Sequence, residues 1–198
     1  KIFNFPKKKI INTGYFYFDY LLQTINHKIV QKNLILFAPS WNYDKNYFFV
    51  NHGPRLIQKL LDKNYSVIFR PHPEHYKRSK ETLKKIINQF GKINQFFLDD
   101  SFSNINSMEK SEILITDNSG IMLEFTLTLN RPCLCFDEIK KIHNPDYKNL
   151  DIESLEEIFI KNFVKNLKIS EIENIEKHCV NALKNSKNLQ SKVINFRE

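Results

Sequence analysis

Residues 112–138 read EILITDNSGIMLEFTLTLNRPCLCFDE, and this stretch decides the fold. Ile113 to Thr116 is an apolar run, Asp117 to Gly120 a polar turn, Ile121 to Leu129 an apolar pattern at helical spacing, and Cys133 to Phe136 a second apolar run. Short apolar runs on either side of a helix are the pattern of a β-α-β unit in a parallel sheet buried on both faces. In such a sheet the carboxyl ends of strands and the amino ends of the following helices border one crevice, where unpaired backbone N–H groups attract anions. The turn is therefore where chemistry is expected. Ser119 brings a hydroxyl, and Gly120 lets a ligand approach the backbone closely. Asp117 would repel a phosphate it faced, so it is expected to cap the turn or the helix. Glu124, one turn into the helix, is placed either to reach a ribose diol or to stand in solvent as an ordinary helix residue.

Upstream, Leu34 to Ala38 is the first strand and ends in Pro39, Ser40 and Trp41. Asn42 to Phe49 reads as a loop, and Asn51-His52-Gly53-Pro54 as the entry to a helix over Arg55 to Lys63, with Pro54 in its first turn. His52 then falls at a helix start beside the crevice, as a ligand contact or as a structural histidine. Ser66 to Arg70 is the second strand, closing in Arg70-Pro71-His72-Pro73. Two prolines fix the backbone around His72. The loop either aims His72 to donate to a phosphate and Arg70 to neutralise it, or is a plain turn with an exposed histidine. His72 and His75 are spaced H-x-x-H, but no third ligand has a persuasive spacing, so no zinc and no other metal is expected.

A helix over Lys80 to Phe90 ended by Gly91, a strand over Gln95 to Leu98, a turn at Asp99-Asp100-Ser101 and a short helix over Asn104 to Lys110 complete the first half. Beyond a loop with His143, Pro145 and Tyr147 come helical patterns over Ile152 to Val164 and Ile169 to Lys187, the latter presenting Ile172, Ile175, Cys179 and Leu183 to the sheet. The fold expected is α/β: a Rossmann-like parallel sheet with helices on both faces, plus carboxyl-terminal helices. Strand order 3-2-1-4-5 would bring Ser40 opposite Asp117 to Gly120, with His72 alongside. Residues 1–30 are read as a linker or the remnant of a preceding domain, 31–150 as the nucleotide-binding domain and 151–198 as helices packing on it.

At 198 residues and 41% hydrophobic composition the chain can bury a substantial core. A net charge of +8 and a pI near 9.3 point to an anionic partner. The lysines are scattered and no base-reading motif is present, so nucleic acid is not expected. Three cysteines, two of them in a buried strand, suit a reduced, cytoplasmic setting. No run approaches the roughly 18 apolar residues of a membrane span, and no signal peptide is recognisable. Lys7 to Lys9 is either a solvated patch or a surface for anionic lipid, which would make the protein peripheral on the cytoplasmic face of the membrane. The first residue is Lys1, and the chain is read as a piece of something longer.

The succession APSW (Ala38 to Trp41), FRPHP (Phe69 to Pro73), FLDD (Phe97 to Asp100), ILITDNSGIMLEF (Ile113 to Phe125) and NRPCLCFDE resembles the carboxyl-terminal domain of the CDP-glycerol glycerophosphotransferase family, the teichoic-acid and capsule polymerases. The resemblance covers Thr13 to Glu138, and TGYFYFD resembles the family segment that enters this domain. It implies a GT-B transferase of two Rossmann-like domains, this one holding the CDP-linked donor. The amino-terminal domain, a partner outside this chain, would face an anionic cell-surface polymer as acceptor. Carried over, His72 contacts the diphosphate as the catalytic residue, while Thr116, Ser119 and Gly120 form its cradle. The donor is a substrate and no cofactor is implied. Trp41 and Asn42 stand where members commonly carry an arginine, and Asn118 where a tyrosine is common. Glu124 resembles instead the ribose-binding glutamate of nucleotide-sugar epimerases, so a UDP-sugar glycosyltransferase, a UDP-sugar 2-epimerase or a non-catalytic nucleotide-binding remnant are the alternatives.

Overall fold

The computed structural model describes residues 9, 11, 13–42, 48–139, 141, 144–149 and 153–197. In chain order these form α1 (Phe16–Thr24), β1 (Leu34–Phe37), α2 (Phe48–Asp62), β2 (Ser66–Phe69), α3 (Pro73–Arg78), α4 (Lys80–Phe90), β3 (Phe96–Leu98) and α5 (Ile105–Lys110). Then follow β4 (Ile113–Asp117), α6 (Ile121–Leu129), β5 (Cys133–Phe136), α7 (Leu155–Phe163), β6 (Lys165–Asn166), α8 (Ile175–Lys184) and α9 (Ser186–Arg197). His143 and Lys7 lie outside the described residues.

The strands make a six-stranded sheet in the order β3-β2-β1-β4-β5-β6, parallel throughout. The chain runs outward from β1 to β3, then returns to place β4 on the other side of β1. That reversal opens a crevice between the ends of β1 and β4.

Alternation along the strands divides the core between the two faces. Ile35, Phe37, Val67 and Phe69 face α2, α4 and α8, whereas Leu34, Leu36, Ile68 and Leu114 face α1, α5, α6 and α7. The first face is aromatic. Phe48 stacks on Phe136 with centroids 4.7 Å apart, and Phe69 stacks on Phe37 and Phe49 at 5.7 and 5.5 Å. Ile172, Ile175 and Cys179 complete it from the carboxyl-terminal region, as their helical spacing predicts. Cys133, Cys135 and Cys179 are all buried.

The parallel α/β sheet with helices on both faces is as expected, and local details differ, beginning with α3, a helix over Pro73–Arg78 directly after the turn that carries His72. α2 begins by Phe48 rather than Arg55, so Pro54 lies inside it and His52 is not at its start. Proline in a helix forfeits a hydrogen bond, but the helix sinks Phe48 and Phe49, both within 1% of full burial, into the aromatic core. Phe16–Thr24 is a helix, anchored by the fully buried Leu21. The pattern over Ile169 to Lys187 is interrupted, a 3₁₀ turn over Ile169–Asn174 preceding α8, and α8 giving way to α9 at Asn185. β6 adds a strand of two residues, too short to carry any periodic signature.

Candidate functional site

The loop after β1 is tied to the end of β4 by side chains. Ser40 donates from its N–H to Asp117 Oδ1 at 2.6 Å and from its hydroxyl to Asp117 Oδ2 at 2.9 Å. Thr116 donates its hydroxyl to the Ala38 and Asp117 carbonyls, at 2.7 and 3.0 Å. These are internal uses of groups expected to meet ligand. Thr116 is fully buried and its single O–H is already given away, so as arranged it is no part of an open phosphate cradle. Asp117, only 2% exposed, bridges two strand ends rather than capping α6. Lys141, from the loop after β5, completes the cluster: its ammonium is 3.0 Å from Asp117 Oδ2 and donates to the Ser40 hydroxyl and the Asn118 carbonyl.

His72 sits at the N-terminus of α3, where its Nδ1 accepts the Glu74 N–H at 3.2 Å. Its ring lies 6.0 Å from that of Trp41, and the Arg78 guanidinium lies 5.2 Å from the Trp41 ring. Burial holds the His72 imidazole below its usual range, and Lys141 pushes the same way against Glu74 and Asp117. His72 therefore stands within electrostatic reach of the Ser40–Asp117–Lys141 cluster. Arg70 is engaged elsewhere. It pairs with Asp99 at 2.7 Å and donates to Ser101 and the Phe102 carbonyl, which joins the ends of β2 and β3 and leaves Asp99 as a structural anion.

His75 is fully buried between α3 and the same loop. Because a carbonyl only accepts, its Nε2 must donate to the Ser40 oxygen, 2.9 Å away, which leaves Nδ1 to accept from the Ser79 hydroxyl at 3.2 Å. The H-x-x-H pair is thus divided between a site histidine and a structural one. Among the described residues no three His, Cys, Asp or Glu side chains are grouped to hold a metal ion.

The turn into α6 faces outward. Gly120 is exposed, and nothing lies within 4 Å of where a Cβ would project from it. The Ser119 and Gly120 amides and the Ser119 hydroxyl have no hydrogen-bond partner among the described residues. One turn on, Glu124 accepts from Asn104 Nδ2 at 3.0 Å and from the Tyr15 hydroxyl at 3.4 Å. Burial raises its carboxyl above the usual range despite these two donors. Gly120 and Glu124 border a largely apolar cavity of about 480 Å³ that also takes in Tyr15, Phe18, Leu127 and Phe196.

The arrangement is thus a polar cluster at the β1/β4 ends (Ser40, Asp117, Lys141, with His72 alongside) and an apolar cavity beside α6, with the open turn Ser119-Gly120 following directly on Asp117-Asn118. His52 is half-buried beside Phe48, and Arg55 and Glu138 act on its imidazole in opposite directions. Lys141 had no signal in the sequence, and Tyr15 lies in TGYFYFD, where the resemblance marks the segment but not this side chain; only folding brings each to its place.

Burial lowers the proton affinity of His27, His52, His72 and His75 alike. The unfolded chain takes up protons near pH 6.5 that the fold refuses, so stability is complete above that pH and falls as pH drops through it. Glu124, whose carboxyl burial raises, acts in the opposite sense, one group against these four histidines. We expect a lower urea midpoint at pH 5.5 than at pH 7.5, and a smaller difference in His75→Gln. Equal midpoints at the two pH values in the parent chain would contradict this.

No helix among the described residues is long and apolar enough to cross a membrane. No curated protein sequence matches the chain. Among solved structures it is similar to a histidine-to-asparagine variant of the wall teichoic acid polymerase TagF, at 19% identity and a TM-score of 0.51, over 91% of this chain and 42% of that one. It is also similar to UDP-GlcNAc 2-epimerase from Methanocaldococcus jannaschii, at 13% identity and 0.55, over 84% and 42% of the two chains. The Neisseria meningitidis UDP-GlcNAc 2-epimerase bound to UDP-GlcNAc aligns at 16% identity and 0.53, over 88% and 43%. At such identities the likeness shows the shared fold, one half of a GT-B arrangement, and this chain spans about two-fifths of the length of each. The family described as CDP-Glycerol:Poly(glycerophosphate) glycerophosphotransferase matches over residues 1–197. With the match running almost end to end, the chain belongs to the CDP-glycerol:poly(glycerophosphate) glycerophosphotransferase family.

Proposed function

We propose that this chain is the donor-binding part of a transferase that moves a polyol phosphate, glycerol or ribitol phosphate, from a CDP carrier to a cell-surface polymer. The observation that carries it is the turn Ser119-Gly120, whose amides have no partner among the described residues and open at the amino end of α6, just after the Asp117 that acts on His72. Such amides suit a diphosphate, and Glu124, one turn further along α6, is the carboxylate offered to a ribose. Family membership favours a CDP-linked donor.

In the reaction an acceptor hydroxyl attacks the donor's β-phosphorus. A new P–O bond forms, the bond to the bridging oxygen breaks, and CMP leaves with that bond's electron pair. The hydroxyl proton goes to a base outside this chain, in the proposed amino-terminal domain. Residues here hold the diphosphate in line, and His72 together with the α6 amides offsets charge gathering on the bridging oxygen. The donor is consumed as a substrate, and no cofactor is invoked. Work on a membrane-bound polymer would place the protein at the cytoplasmic face.

Calorimetry with CDP-glycerol, CDP and UDP tests the reading. We expect CDP and CDP-glycerol to bind, with affinity reduced about tenfold in both His72→Ala and Ser119→Ala, the low end of the range for removing a hydrogen bond to an ionised phosphate. Failure of every nucleotide to bind sinks it. A clear preference for UDP would favour the second reading, a UDP-sugar enzyme, whose supporting observation is Glu124 in the apolar cavity.

A further inference from the structure

Asp117 is the last residue of β4 and stands just before the open turn. A carboxylate in that place opposes any anion brought to the turn, and buried at 2% exposure it is poorly screened by water. Its hydrogen bonds from Ser40 come from neutral groups and do not remove its charge. Lys141 does. Its ammonium is 3.0 Å from Asp117 Oδ2, with the lysine side chain 12% exposed. An ammonium has three N–H donors, and here they have Asp117 Oδ2, the Ser40 hydroxyl and the Asn118 carbonyl as acceptors. None is left over for a ligand.

We propose that Lys141 is a positioning residue, an internal countercharge that cancels Asp117 and pins the Ser40 loop to the Asp117-Asn118 turn, so that the turn can accept a diphosphate. Lys141 does not itself bind the phosphates. The inference rests on the diphosphate reading above and adds to it the reason a carboxylate is tolerated at the anion site. His72 and His75, the titratable neighbours on the other wall, both sense the pair, and Lys141 and Asp117 act on each in opposite directions.

Titrating CDP and inorganic pyrophosphate into the 198-residue chain and three variants separates this role from direct contact. Lys141→Met leaves Asp117 uncompensated, and binding should weaken about tenfold or more. Asp117→Asn, which keeps Lys141, should bind at least as tightly as the parent chain. The double variant Asp117→Asn/Lys141→Met removes both charges, and should return to within about threefold of the parent and regain most of the urea midpoint lost in Lys141→Met. A phosphate-binding lysine predicts otherwise: the double variant would stay as weak as Lys141→Met, and that result overturns the proposal. So does unchanged binding in Lys141→Met, which leaves the diphosphate site itself standing. A parent chain that binds neither probe removes the site and this role together. Should Lys141→Met not fold, the double variant decides alone, since it buries no unpaired charge: affinity near the parent's supports the countercharge, and lost affinity refutes it.

Discussion

Gly120→Asp should leave the chain as stable as before, or slightly more so, while lowering its affinity for CDP about a hundredfold or more. Two opposing consequences of one electrostatic field produce that split. An added carboxylate at the amino end of α6 interacts favourably with the helix dipole, by about 0.3–1 kcal/mol. The site has room for it, since Gly120 has an ordinary negative φ of −57° and a Cβ added there would meet nothing within 4 Å. The same carboxylate faces the diphosphate, and two like charges about 5 Å apart at an effective dielectric near 20 repel by about 3 kcal/mol. Thermal unfolding and calorimetry on one preparation read both effects. Gly120→Ala separates sterics from charge: a methyl group should cost only a few fold. CDP binding to Gly120→Asp with parental affinity would mean that the diphosphate lies elsewhere, whatever the stability.

Phe69→Ala should produce the largest loss of stability, about 3–5 kcal/mol. The ring is fully buried at the end of β2 and meets Phe37, Phe49 and Phe96 at centroid distances of 5.7, 5.5 and 6.1 Å. Truncation opens a cavity that planar neighbours cannot refill without leaving their stacks, and the cost of a cavity grows with what fails to collapse into it. For a chain of this length each kcal/mol moves the melting temperature by about 2–4 °C, so a fall of about 6–20 °C is expected. Phe102→Ala is the control, because that ring is wholly exposed and its removal should change little. A fall under about 2 °C in Phe69→Ala would show that the aromatic face does not hold the sheet together. The position matters for function too. Arg70, Pro71 and His72 follow at once, and the Arg70 N–H is held by the Phe37 carbonyl at 2.9 Å. Loosening this layer moves the loop that carries the imidazole.

Much of the fold was legible because its signals are local. Strand β5 over Cys133–Phe136 and helices α4 over Lys80–Phe90 and α6 over Ile121–Leu129 have the bounds their apolar patterns predict. Gly91 closes α4 as its position suggests, and Asn130, at a left-handed φ of 55°, closes α6. The alternation of strands and helices points to a doubly wound parallel sheet, and the order 3-2-1-4-5, supposed from that class, is the order of β1 to β5 in the structure. What failed locally failed for a tertiary reason. The start of α2 was masked by Pro54, whose backbone preference opposes a helix interior, and it is the burial of Phe48 and Phe49 against residues distant in sequence that outweighs it.

The candidate site divides along the same line. From residue types and spacing alone came the parallel α/β class, the crevice at the strand ends, and the placement of Ser40, His72, Asp117, Ser119, Gly120 and Glu124 at or next to it, because strand periodicity and turn chemistry act over a few residues. Which of these groups remain open to a ligand was decided only by the folded chain. Thr116 gives its hydroxyl to the Ala38 carbonyl, Arg70 gives its charge to Asp99, and Lys141 arrives from 24 residues beyond Asp117 to neutralise it. Hydrogen bonds and ion pairs form between whatever groups the fold brings within about 3 Å, and no sequence period records that distance.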